Sequence, residues 1–196
     1  MRKVLLKISA FMSPYFGKVH FPFSRKLITS KDYRACKSVM KNGMILVTST
    51  RGELTTLLIP GFFSHVGSII SQNEIIEATG HGVVKTDLID FLLSRDYAVL
   101  LKPKWLCDKQ MEDAAKIAES MEGRGYDYEF SSDSTQFYCS ELAMYSYKQV
   151  DPNSPLELRN RMGQLTFIPE DFWRAGDKFD IVWASESLKD KFHGEI

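Results

Sequence analysis

One cysteine stands where the chain changes character, in D133-S-T-Q-F-Y-C-S-E-L-A-M-Y-S-Y147. Ser131, Ser132, Asp133, Ser134 and Thr135 suit loops and helix caps, whereas Leu142, Ala143, Tyr145 and Ser146 recur at helical spacing after Cys139. The change of pattern places Cys139 in the first turn of a helix. Unpaired N–H groups and about half a positive charge gather there and favour an anion. Cysteine acts through its thiolate, and a helix start with a histidine partner brings the thiol pKa from ~8.5 into the range of about 3.5–7.5. An arbitrary cysteine is more often a small apolar residue packed under a helix, so the chemical reading needs a partner for the sulfur.

Four histidines are available: His20, His65, His81 and His193. His20 sits in a basic segment and His193 in a charged tail. His65 enters an apolar strand just after the Pro60-Gly61 loop, and His81 lies between Gly80 and Gly82. The strand gives His65 the firmer seat for a general base. Such a histidine needs a third group on its other ring nitrogen, and Glu77 on the next strand is the candidate, since its carboxylate also stabilises imidazolium. Glu77 as a solvent-facing strand residue remains the competing reading, because hairpin register is not fixed by the pattern.

Strands and helices must position these groups. Lys31–Lys41 reads as a short helix with Thr29 or Ser30 as cap and Asn42-Gly43 as stop. Met44–Ser49 reads as a strand, Ser64–Ile70 and Glu74–Ala78 as a hairpin about Ser71-Gln72-Asn73, and Val83–Thr86 as an extension of the sheet. Leu54–Phe63, broken by Pro60-Gly61, reads as a loop. Asp87 caps a short helix through Leu93, and Tyr97–Leu101 is a further strand. From Cys107 to Met121 an apolar stripe of Met111, Ala114, Ala115, Ile117, Ala118 and Met121 marks a helix. Ile168–Phe172 starts a helical turn and Phe179–Ala184 forms a last strand. The fold class is α+β, with mostly antiparallel strands and helices grouped around the cysteine.

Composition bounds the rest. The 196 residues, 44% hydrophobic and 26% charged, are those of one ordinary globular domain. Three widely separated cysteines indicate neither a disulfide framework nor a Cys-x-x-Cys site, which makes a reducing compartment the default. No apolar run approaches the ~20 residues needed to cross a bilayer, and the opening M-R-K-V-L-L-K-I-S-A-F-M does not read as a secretion signal. Formal charge is zero but uneven: Arg2, Lys3, Lys7, Lys18, Arg25, Lys26, Lys31, Arg34, Lys37 and Lys41 face only Asp32 in residues 1–41. We therefore divide the chain into a basic N-terminal arm, 1–41, and a domain, 42–196. The arm, with Phe11, Tyr15, Phe16, Phe21 and Phe23, suits an anionic membrane surface or the acidic body of its own fold, and nucleic acid is not favoured. His65, Glu77 and His81 lack metal-ligand spacing, and Gly80-x-Gly82 is too little for a nucleotide loop, so neither metal nor cofactor is expected.

G43-M-I-L-V, S64-H-V-G, I75-I-E-A with G82-V, Y126-D-Y-E-F, F137-Y-C-S-E-L and F167-I-P-E-D-F follow one another in a characteristic order. Over residues 43–184 they resemble the circularly permuted, YiiX-like branch of the NlpC-type papain-like cysteine hydrolases, related to the lecithin:retinol acyltransferases. The resemblance implies a papain-like core, a central antiparallel sheet or small barrel flanked by helices, in which permutation puts the histidine strand before the nucleophile helix. It implies Cys139 as nucleophile, His65 as general base and Glu77 as the orienting third member. That third position varies between branches, so Thr79 and His81 stay in play.

The reading is a thiol-dependent hydrolase or acyltransferase acting on an amide, thioester or ester, with a peptide, cell-wall peptide or lipid-linked amide as substrate. Its oxyanion would meet the Cys139 N–H with Gln136 or Tyr138 as a further donor. Ser140 and Glu141 read as first-turn residues, and Tyr126, Tyr128 and Phe130 as core or cleft wall. The alternative is a papain-like binding module without turnover, recruited through the basic arm. Oligomeric state is not legible.

Overall fold

The computed structural model describes residues 26–52, 60–128, 130, 135–161 and 164–193. Residues 1–25 of the basic arm, with Phe11, Tyr15, Phe16, Phe21 and Phe23, part of the Leu54–Phe63 loop and the Ser131–Ser134 cap run therefore lie outside the described residues. The chain order is α1 (Ser30–Val39), β1 (Ile45–Ser49), β2 (His65–Ile69), β3 (Glu74–Thr79), β4 (Gly82–Asp87), α2 (Leu88–Leu93), β5 (Tyr97–Pro103) and α3 (Asp108–Glu119). There follow β6 (Gly125–Tyr126), β7 (Gln136–Phe137), α4 (Cys139–Val150), β8 (Arg159–Arg161), β9 (Gln164–Thr166), α5 (Pro169–Arg174), β10 (Phe179–Ala184) and α6 (Glu186–Lys191).

A six-stranded sheet in the order β10-β5-β1-β2-β3-β4 carries the molecule, and every adjacent pair in it is antiparallel. Each strand of the reading above is present, and β4 does extend the sheet. The pairing Ile45↔Ser68 and Val47↔Val66 puts those residues on one face, and Leu46↔Gly67 and Thr48↔His65 put these on the other. The first face buries Ile45, Val47, Val66, Val99 and Leu101 against Ala143, Met144 and Tyr147 of α4 and Met111 and Ala114 of α3. The second buries Leu46, Ile69, Ile75 and Leu100 under α2 and α1, including Ile28, Cys36 and Met40. Fully burying one such aliphatic or aromatic side chain contributes about 1.5–3 kcal/mol, so α1 is held as core despite its basic outer surface.

Helix ends follow their side chains. Asp32 accepts the Thr29 N–H at 2.9 Å, which closes a capping box on α1, and Asp87 accepts the Ile89 N–H at 2.9 Å. The short parallel pair β6–β7, the hairpin β8–β9 and α6 have no counterpart in the sequence reading. Their two or three residues, or a single helical turn and a half, are too short to show a period. Among the described residues no helix is long and apolar enough to cross a membrane.

Candidate active site

Cys139 opens α4, but its cap is Tyr138 rather than a small polar residue. Glu141 reaches back to the Tyr138 N–H at 3.5 Å, and Ser140 Oγ donates to the Phe167 carbonyl at 2.5 Å. These bonds, with Leu142 and Ala143 buried behind them, fix the helix start against the end of β2.

His65 is the first residue of β2, at the end of the strand, and Glu77 lies on β3. Continuing the register Ser68↔Ile76 and Ile69↔Ile75 sets Gly67 opposite Glu77 and His65 on the same face, one diagonal step away. His65 Nε2 meets Glu77 Oε2 at 2.6 Å. Glu77 is itself held: Thr86 donates to Oε1 at 2.6 Å, and Arg95 Nη2 stands 3.5 Å from Oε2. Gly67 has a reason to lack a side chain, because a Cβ there would come 2.6 Å from Ile75 Cδ1 and 3.1 Å from the Phe91 ring. Phe91 supports both ends of the array, with the His65 ring centroid at 5.9 Å and the Arg95 guanidinium at 5.0 Å.

The remaining ring nitrogen of His65 is left for Cys139, to which a side-chain hydrogen bond joins it. The sulfur accepts two further bonds, from the backbone N–H groups of Val66 and Ser140. The Val66 donor has a structural origin. β2 and β3 pair at Ser68↔Ile76 and Ile69↔Ile75 and then part, so the β3-facing N–H of Val66 meets the sulfur where a continuous ladder would have supplied a carbonyl.

The electrostatics follow from these contacts. Burial alone would raise the Cys139 thiol, but the His65 charge, its hydrogen bond and the two N–H donors bring it below its ordinary value. Burial likewise opposes a charged His65, yet the Cys139 thiolate and Glu77 outweigh it and raise the imidazole to about 9. Glu77 falls to about 2, because the bond and charge of His65, then Arg95 and Thr86, outweigh its burial. Each shift favours an anion, cation, anion row.

The other candidates fall elsewhere. His81 is exposed on the β3–β4 turn, and Thr79 bonds to the Gly82 carbonyl and the His81 N–H. Gln136 is exposed on β7, its side chain lying over Gly125. Tyr138 is buried against Phe130, and its hydroxyl accepts the Phe167 N–H at 3.2 Å. Tyr126 and Tyr128 pack with tilted rings 4.8 Å apart, and the Tyr128 hydroxyl donates to the Gly80 carbonyl at 2.7 Å, which makes them a wall beside the β3–β4 turn. Arg95 and Thr86, absent from the sequence reading, complete the surroundings of Glu77. An arginine close behind a capped helix gives no local sign of the carboxylate it will meet.

Residues 39–190 match the family described as permuted papain-like amidase enzyme, YaeF/YiiX, C92. The chain belongs to that family. No curated protein matches it. Among solved structures it is similar to the crystal structure of the metalloprotein YiiX from Escherichia coli O157:H7, with a TM-score of 0.53 and 23% identity over 61% of this chain and 71% of that one. At that identity the likeness bears on the fold, which is the permuted papain-like one. Among the described residues here, no group of three His, Cys, Asp or Glu side chains is placed to hold a metal ion.

Proposed function

We propose that this protein is a cysteine amidase that cleaves an acyl bond through Cys139, His65 and Glu77. The family supports a papain-like amidase of hydrolase type. The observation that carries the assignment to residues is the continuous row in which His65 bonds to Cys139 on one ring nitrogen and to Glu77 on the other.

In this mechanism the Cys139 thiolate attacks the acyl carbonyl carbon, and the C–S bond forms as the carbonyl π pair moves onto oxygen. The Cys139 backbone N–H, at the positive end of α4, stabilises that oxygen. Losing one such donor costs about 10²–10³ in turnover. Tyr138 serves as packing, since its hydroxyl is committed to Phe167. His65 then gives its proton to the leaving amine as the C–N bond breaks, leaving a Cys139 thioester and a neutral imidazole. Water loses a proton to that imidazole as it attacks, the acid departs, and the thiolate–imidazolium pair returns. Glu77 holds one tautomer and one orientation of the ring throughout.

The substrate we favour is the amide of a peptide or of a lipid-linked amine. A second nucleophile in place of water would turn the same thioester to acyl transfer. Alkylation with iodoacetamide tests the reading: stoichiometric modification of Cys139 near neutral pH, abolished in His65→Ala, is the expected result. An inert Cys139 in the folded protein sinks it in favour of a non-catalytic cleft.

A further inference from the structure

The F167-I-P-E-D-F172 motif takes no part in that chemistry, yet it bridges the two elements the chemistry needs. Its front end grips the nucleophile helix, through Ser140 Oγ to the Phe167 carbonyl at 2.5 Å and the Phe167 N–H to Tyr138 Oη at 3.2 Å. Three residues later Glu170 grips the chain entering β2. Its Oε2 accepts the N–H groups of Phe62 at 2.9 Å and Phe63 at 3.1 Å. Bonds to a carboxylate are stronger than those to a neutral acceptor, and Glu170 is only 9% exposed.

The seat is shaped for it. Gly61 has φ +112°, and a Cβ there would stand 2.6–2.8 Å from the Glu170 side-chain carbons. Directly after Phe63, the Ser64 N–H donates to the Thr48 carbonyl at 3.0 Å and His65 begins β2. Asp171 accepts the Ile168 N–H at 2.9 Å and so keeps the turn between the two grips closed.

We propose that Glu170 is a positioning residue for His65: by holding Phe62 and Phe63 while Phe167 holds Tyr138 and Ser140, it sets where the imidazole stands relative to the Cys139 sulfur. The inference rests on the Cys139–His65 reading above. Aromatic packing does not replace the carboxylate. Phe62 and Phe63 pack edge-on or tilted against one another and against Tyr97, Trp173 and Phe192, contacts that hold the rings but satisfy neither backbone N–H.

The test is the pH dependence of Cys139 alkylation by iodoacetamide in the full chain, with Cys107→Ser as parent because Cys107 is exposed. Glu170→Ala is expected to move the acid limb upward by about one pH unit, which lowers the rate about tenfold at pH values on that limb. Glu170→Gln keeps a carbonyl oxygen for both N–H groups and is expected to restore the parent profile, and Glu170→Asp to fall between. If Glu170→Ala does not fold, Glu170→Asp decides: a raised limb supports the proposal and an unmoved limb overturns it. A folded Glu170→Ala with a lower melting temperature and an unchanged profile makes Glu170 merely structural. If the parent itself has no acid limb that His65→Ala removes, the catalytic reading falls and this inference with it. If the parent has that limb and Glu170→Ala and Glu170→Asp leave it unmoved, the positioning role alone is overturned.

Discussion

Two helices of this protein, α3 and α4, each run for 12 residues, each press an apolar stripe on the same face of the sheet, and each begin at a cysteine. Cys107 caps α3 at the surface, its N–H donating to Gln110 at 3.0 Å. Cys139 opens α4 in a buried notch, bonded to His65, Val66 and Ser140. Cys36, buried inside α1 beside Asp32, shows the opposite extreme, with burial first and that carboxylate second pushing its thiol up to about 12. A helix N-terminus is therefore common to the reactive candidate and the surface cysteine. The difference lies in the parting of β2 from β3, which opens room for a sulfur beside an imidazole.

The largest expected effect breaks this comparison directly. Cys139→Ser should abolish hydrolysis and thioester formation, measured by turnover and by mass spectrometry of trapped intermediate, while Cys107→Ser should leave both intact. His65→Ala should cost about 10²–10⁴ in rate, the usual contribution of a general acid–base. The pH profile sharpens the contrast further. Activity should rise as the Cys139 thiol ionises, below its ordinary value, and should fall as His65 loses its proton near about 9, because neutral imidazole has no proton for the leaving amine. Glu77→Gln should move that basic limb downward, read from the same profile. A limb that stays put would detach Glu77 from the array.

Stability gives the smaller effects. Gly67→Ala forces a methyl group against Ile75 and Phe91 and should cost about 1–3 kcal/mol by denaturant unfolding. Glu77 has a folded pKa of about 2 against an unfolded 4.5, so its contribution is complete above the unfolded value and is lost as pH falls toward the folded one. Wild-type protein should therefore lose stability over that acid interval more steeply than Glu77→Gln.

The sequence carried the elements that repeat and the residues that sit within them. Short runs rich in Val, Ile and Leu between turn residues marked β1 to β5, Thr29 or Ser30 and Asp87 marked two helix starts, and the change from polar to apolar spacing marked Cys139. Glu77 was the natural strand carboxylate to follow His65, but the register that sets it on the same face as His65, with Gly67 opposite, comes from pairing across strands. Short elements stayed hidden, because β6 with β7 and β8 with β9 exist only through their partners. Arg95 and Glu170 stayed hidden for the same reason: a charge on a loop or a short helix does not announce the distant backbone or carboxylate that it will meet.

The sulfur that Val66 addresses stands in for a rung of the sheet. Whatever occupies that sulfur, a proton, an acyl group or an alkyl cap, changes its strength as an acceptor, so the state of Cys139 is written into a backbone amide of β2. Under the proposed mechanism, exchange of the Val66 amide proton would serve as a gauge of the acyl-enzyme that needs no knowledge of the substrate.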